Sequence, residues 1–352
     1  MQMENTLERS QSPLIKFLDR YWYYMAIVFM FMLGWIRPQI GLWMKSVGFT
    51  QFLVAIAFFL NGFALSTDSL VESAKEWKVL SGSLLITFGI SPAVVFALRH
   101  VIPGGDTIIG EGFQLISIVP TLFVSAVVLT RIAKGNASTA LCLTVSSNLL
   151  AIIIAPLLIK LTLGASGGGL DLHSTIISMI FTVLVPTIVG QCARKRWEVW
   201  ASGHARLITI VSQSAILLFI VTGVSALPRS VLSPSVVTIA VVGGLILHAI
   251  LFGIGTLGSA TIGVNEADRR ALTFCTAQKS FVFNVLLCER LFAGDSRSFG
   301  LAILPGIIYY LIVLTVDSVI AQWWQQRAVV MQTEAAQPRR APILGRALSS
   351  DE

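Results

Sequence analysis

Lys279 stands in an otherwise apolar run, TFCTAQKSFVFNVLL, with Thr276, Gln278 and Ser280 beside it. A lysine midway through a membrane-crossing segment costs about 2.5–3.5 kcal/mol on insertion scales, and about ten residues of helix on each side keep it from reaching an interface. Its ammonium is therefore expected to face the protein interior or a water-filled cavity. Thr276 and Gln278 supply hydroxyl and amide groups of the kind that satisfy an unwound stretch of backbone, and Asn284 follows about one turn later. A second candidate run is SIVPTLFVSAVVLT, where Pro120 precedes Thr121 and Ser125. Proline removes a backbone N–H bond and clashes with the preceding turn, so a broken or kinked helix is expected there. Half-helix ends aimed at mid-membrane present partial charges without any ionised side chain.

A third run, TVSSNLLAIIIAPLL, carries Thr144, Ser146, Ser147 and Asn148 before Pro156. Small hydroxyl residues also serve tight helix packing in lipid, so Thr144 and Asn148 suit a cavity and a packed interface equally. Asp317 is followed closely by Trp323, Trp324 and Arg327, which places it near the cytoplasmic interface in a capping or packing role. His248, Asn61 and Gln213 read as isolated, satisfied packing residues. The sequon Asn136-Ala137-Ser138 falls in a tight turn on the predicted cytoplasmic side, where glycosylation is not expected. The chain has no nucleophile elbow, Walker loop, HExxH or CxxC, and its acidic pair Glu266 and Asp268 lies beside Arg269 and Arg270. The four cysteines, Cys142, Cys192, Cys275 and Cys288, sit in or beside apolar runs without metal-ligand spacing. Enzyme chemistry, a cofactor, a disulfide framework and a structural metal are all unexpected.

The elements that must hold these residues are membrane helices. The 352 residues are 55% hydrophobic and 12% charged, against about 45–50% apolar and about 25% charged in a soluble domain. Apolar runs bounded by charges or by Pro and Gly give ten spans, near 22–40, 50–69, 77–99, 108–134, 136–160, 172–193, 204–226, 233–260, 268–293 and 297–325. With the N-terminus in the cytoplasm, seventeen of the 25 lysines and arginines fall on that side and seven on the other, with Lys279 inside a span. The positive-inside rule then puts both termini in the cytoplasm of a multi-pass inner or plasma membrane protein. The net charge of +7 reflects this topology, since no basic stripe marks a nucleic-acid face. Residues 1–20 read as a polar segment without a signal peptide, 21–326 as one ten-helix domain, and 327–352 as a disordered tail.

Ten spans divide into five plus five, and an odd-numbered unit repeated in one chain must be inverted. Gly135-Asn136 closes the fourth span and Gly294-Asp295 the ninth; superposing these glycines sets Pro120 opposite Lys279. Each partner span thus carries its helix-breaking or polar feature at one distance from its closing turn.

Over about 20–325, these runs resemble the bile acid:sodium symporter fold, in its SBF-like subgroup of bacterial symporter-like proteins and animal solute carrier family 10 member 7. The resemblance is carried by Val119-Pro120 through Ser125 to Thr130, by Gly135-Asn136 with Ala137 to Ala140, by Ser146-Ser147-Asn148-Leu149-Leu150 with Ala155-Pro156, and by Asn265-Glu266-Ala267-Asp268 leading to Phe274 through Ser280. It implies ten helices in a panel and a core, with the fourth and ninth unwound and crossing near mid-membrane. It also implies that Phe274 stands where sodium-coupled members bear a glutamate, and Ala126-Val127 where they bear Ser-Asn. Thr144 and Gln278 still match sodium-ligand positions. Three oxygen ligands are thereby lost, and a cation beside Lys279 would meet strong repulsion in low dielectric. The resulting expectation is a secondary transporter of a small, anionic organic solute, sodium-independent or proton-linked, with Lys279 in place of a sodium ion. Lys279, Gln278, Thr276, Ser280, Pro120, Ser125, Thr144, Asn148 and Asn284 would line its site. A static counter-ion role for Lys279, a sodium-coupled organic anion symporter, and a membrane regulator of cellular calcium are the alternatives.

Overall fold

Lipid offers no partner to a backbone N–H or C=O, so a chain of this composition must close its hydrogen bonds within helices. The computed structural model describes residues 13–64, 77–101, 105, 107–163, 171–227, 229, 233–292 and 294–336. The expected N-terminal segment falls outside the described residues up to 12, and the expected tail from 337 on. Helix α1 (Pro13–Ile36) stops at Arg37, and α2 (Pro38–Ser46) leaves it at 87°. The expected span near 22–40 is thus cut short, because a residue before proline is pushed out of the helical region, here to φ −123 and ψ 64.

The chain continues as α3 (Phe49–Ala64), α4 (Trp77–Leu85), α5 (Ser91–Val101), α6 (Ile108–Ile118), α7 (Phe123–Ile132) and α8 (Ala137–Thr162). Then follow α9 (Leu172–Met179), α10 (Val185–Arg196), the short α11 (Glu198–Gly203), α12 (Ala205–Ser225), α13 (Pro234–Ile262), α14 (Glu266–Ala277), α15 (Phe281–Leu291) and α16 (Ser296–Ala336). Single π turns, Ile86–Ile90 and Ile180–Leu184, join α4 to α5 and α9 to α10. Each comes just before a proline, Pro92 or Pro186, whose missing N–H and ring clash a widened turn relieves. Among the described residues six helical rods are long and apolar enough to cross a membrane, or seven if the bent α1–α2 pair counts as one.

Helices α1, α2 and α3 pack with α10 and α12, while α6, α7, α8, α13, α14 and α16 pack among themselves. In the first group α3 and α10 cross closely: a Cβ on Gly62 would strike the Thr187 carbonyl, and one on Gly190 the Phe59 carbonyl. The two groups meet where α15 touches α3 and α12, with Phe58 edge-on to Phe283. They meet again at the buried Tyr23 hydroxyl, 2.7 Å from that of Tyr310.

Candidate functional site

Two breaks dominate the second group. Between α6 and α7 the chain is extended at Val119 (ψ 152) and Leu122 (ψ 126). Between α14 and α15 it is extended at Gln278 (ψ 95) and Ser280 (ψ 110). The two links run antiparallel and pair at Thr121 and Lys279. Leu122 N donates to Gln278 O at 2.8 Å, and Ser280 N to Pro120 O at 2.8 Å. Each link is therefore the other's backbone partner, and Pro120, which has no N–H, contributes only its carbonyl.

Helix ends leave carbonyls unpaired, and here side chains from other elements take them. Lys279 Nζ donates to Ser117 O at 3.1 Å and to Val119 O at 3.3 Å, at the C-terminal end of α6. Lys279 is 2% exposed, so it does not snorkel, and its ammonium meets the negative end of a half-helix. At the end of α14, Thr121 Oγ1 donates to Cys275 O at 2.7 Å and Tyr309 OH to Ala277 O at 2.6 Å. Asn148 Nδ2 reaches Thr121 O at 3.0 Å, and the Ser147 hydroxyl accepts from Thr121 N at 3.3 Å. The hydroxyl of Ser280 accepts from Phe283 N and starts α15.

Gln278 turns the other way. Its Oε1 accepts from Ser125 Oγ at 2.5 Å, and its Nε2 donates to Asp317 Oδ2 at 2.5 Å and Val313 O at 3.3 Å. Asp317 is fully buried, and its Oδ1 lies 3.2 Å from His248 Nε2. Asp317 thus caps no helix end but packs inside the protein, and His248 is not isolated. The long α16 packs the carboxylate against α13, which the tryptophans and arginine that follow it did not disclose.

Of the expected residues, Lys279, Gln278, Ser280, Pro120, Ser125 and Asn148 come together at the crossing. Thr144 sits just behind, donating to Ala140 O and lying 3.9 Å from Cys275 Sγ. The Thr276 hydroxyl is buried without a partner, its Cβ close to Gly255 of α13. Asn284 is buried against Gly306 of α16, where an added Cβ would strike its Oδ1. Asn136 spends its side chain capping α8 and donating to Asp268. Sequence reasoning missed Asp317, His248 and Tyr309. The available signal was that ionisable residues inside apolar spans pair with one another. An apolar cavity of about 430 Å³ beside Phe59, Phe63, Trp200 and Ile208 contains none of these polar groups.

Residues 21–326 match the SBF-like CPA transporter family. YfeH of Escherichia coli K12 is 27% identical over 292 residues, covering 81% of this chain and 86% of that protein. Probable sodium/metabolite cotransporter BASS4, chloroplastic, of Arabidopsis thaliana is 27% identical over 311 residues, covering 84% of this chain and 70% of that protein. Sodium/bile acid cotransporter 7-B of Xenopus laevis is 25% identical over 319 residues, covering 87% of this chain and 92% of that protein.

Proposed function

The chain belongs to the SBF-like CPA transporter family, and from that premise we propose that it moves a small organic anion by alternating access, independently of sodium, with Lys279 holding the place of a bound cation. It is an integral membrane transporter and not an enzyme. The observation that carries the sodium-independent reading is the seat of the Lys279 ammonium on the Ser117 and Val119 carbonyls. Half-helix carbonyl ends of this kind hold coupling cations in secondary transporters. Phe274 supports the same reading: it offers no oxygen, and its ring packs 5.2 Å from that of Trp324 and 6.3 Å from that of Phe252. Four half-helix ends converge on the crossing, and the N-terminal ends of α7 and α15 favour an anionic group there.

We read ten spans: the six long rods, the bent α1–α2 pair, α3, and the two broken pairs α6–α7 and α14–α15. They form an inverted five-plus-five repeat with both termini in the cytoplasm. The first helix group serves as panel and the second as moving core, and residues 21–326 act as one transport domain. Coupling to sodium is the second reading, favoured by the names of two relatives, which give each as a sodium cotransporter.

Melting of the detergent-purified protein in sodium chloride against choline chloride, at equal ionic strength and several pH values, separates the two. A cation at one hundred times its dissociation constant stabilises by about 2.7 kcal/mol. Wild type is expected to melt alike in both salts, and Lys279→Gln to lose part of the pH dependence. Stabilisation of wild type by sodium alone would overturn the tethered-cation reading and leave the sodium symporter.

A further inference from the structure

The crossing accounts for Lys279 but leaves a second buried ionisable pair behind it. His248 on α13 and Asp317 on α16 face each other at 3.2 Å, with side chains 6% and 0% exposed. We propose that this pair is the carrier's proton-binding site, and that Gln278 transmits its protonation state to the crossing links. The proposal rests on the transporter reading and deepens it by assigning the coupling ion a seat.

A carboxylate this far from water is costly unless it is paired and hydrogen-bonded. Asp317 has one hydrogen-bond donor, on Oδ2, and one facing ring nitrogen, whose 3.2 Å approach to Oδ1 makes no hydrogen bond in this conformation. Gln278 Nε2 is a permanent donor, at 2.5 Å from Oδ2. His248 Nε2, opposite Oδ1, either donates or accepts according to its tautomer and charge. One proton taken from water on one side of the membrane binds Asp317 Oδ1, facing a neutral His248 Nε2, and leaves the pair uncharged; its release to water on the other restores the single negative charge. No bond other than this one to hydrogen is made or broken.

The surrounding charges give the step a consequence. On the links, Lys279 directs its ammonium to the α6 carbonyls, while the preceding residue, Gln278, directs its amide to Asp317. With Lys279 charged, the empty pair leaves the crossing near neutrality, and the protonated pair leaves one net positive charge for an anionic solute to balance. The elements packed on α13 and α16 also bear Lys78 on α4, Arg99 and His100 in the last turn of α5, Arg131 in the last turn of α7, and Glu289 and Arg290 on α15. Tyr309, whose ring centroid lies 6.2 Å from that of His248, donates its hydroxyl to Ala277 O. Ser125 on α7 reaches the pair only through Gln278. Arg270 on α14 lies beyond Trp324 and bonds Ala133 O, and Glu111 is the carboxylate on α6. Gln278 bonds both Asp317 and Ser125 of α7, so a change at the carboxylate alters the bonds that fix the link.

The test needs no solute. The full-length protein in liposomes of neutral phospholipid is followed by infrared difference spectroscopy as pH is stepped from about 8 to about 5. A protonated-carboxyl component beyond the signal common to the other carboxyls is expected in wild type, missing in Asp317→Asn, displaced in His248→Gln, and present in Lys279→Gln. A wild type lacking that component, or Asp317→Asn retaining it in full, overturns the proposal. Should Asp317→Asn fail to fold, an unmoved band in His248→Gln does the same. If the titration stands but liposomes holding only this protein move no organic anion, the transporter reading fails and the proton site survives. Flux driven by a pH gradient without the band overturns the proton site and leaves the transporter reading standing.

Discussion

At the scale of single residues, the crossing is an exercise in placing polar groups where no water reaches. Thr121 shows how tightly this is done. Its N–H, its carbonyl and its hydroxyl each have a partner: Ser147, Asn148 and the Cys275 carbonyl. Thr121→Val keeps the shape and deletes one donor, leaving a buried carbonyl at the end of α14 unpaired. Leaving a buried polar group unsatisfied costs about 1–3 kcal/mol, and a loss of that size is expected in denaturant melts of the solubilised protein. An unchanged midpoint would mean that the hydroxyl is not holding α14. Lys279 differs, because its removal also relieves the burial of a charge. Its signature is therefore sought in pH dependence and not in stability alone.

At the scale of elements, the broken helices depend on anchors at their outer ends. Asn136 caps α8 and donates to Asp268 at 2.9 Å, Thr139 Oγ1 donates to the same carboxylate at 2.7 Å, and Asn265 Nδ2 at 2.6 Å. Asn136 N also donates to Ala267 O. The turn after α7 and the start of α14 are thus joined through one carboxylate. Hydrogen bonds to charged groups contribute about 1.5–3 kcal/mol each, and Asp268→Ala is expected to cost at least one such bond. It should also raise amide hydrogen exchange in the α7–α8 turn and the first turn of α14 together. Exchange that rises in only one of the two would show that they are not coupled through Asp268. Both π turns belong to this scale as well, since each gives a proline room within a rod that has to remain continuous across lipid.

At the scale of the whole molecule, the proposed alternating access would require the two helix groups to move against each other. The Tyr23–Tyr310 contact lies on that boundary. Cysteines at both positions, in a Cys192→Ser background and joined by a reducible bifunctional thiol reagent, are expected to stop the flux that wild type supports. Reduction should restore it, and either cysteine alone should have no effect. Transport that persists through the cross-link would place the moving boundary elsewhere.

Much of this architecture was legible in the sequence, because in lipid the physical rule is local. A run of apolar residues must be helical, and Pro120 and Lys279 disturb such a run wherever it is placed. The break between α6 and α7 and the burial of Lys279 follow from composition and from the chemistry of proline and lysine, whereas the unwound link at Lys279 was implied by the family resemblance. What the chain order alone does not reveal is which polar groups meet across helices. The depth of Asp317, its contact with His248 and the divided attention of Gln278 arise where α13 and α16 pack against the link, 30 to 40 residues away along the chain. The packing of Asn284 against Gly306 of α16 is likewise a matter of tertiary contact. Periodicity and composition determined the elements and the strained points along them; only the tertiary structure decided the pairings, because a buried charge takes its partner from whichever helix the packing brings to it.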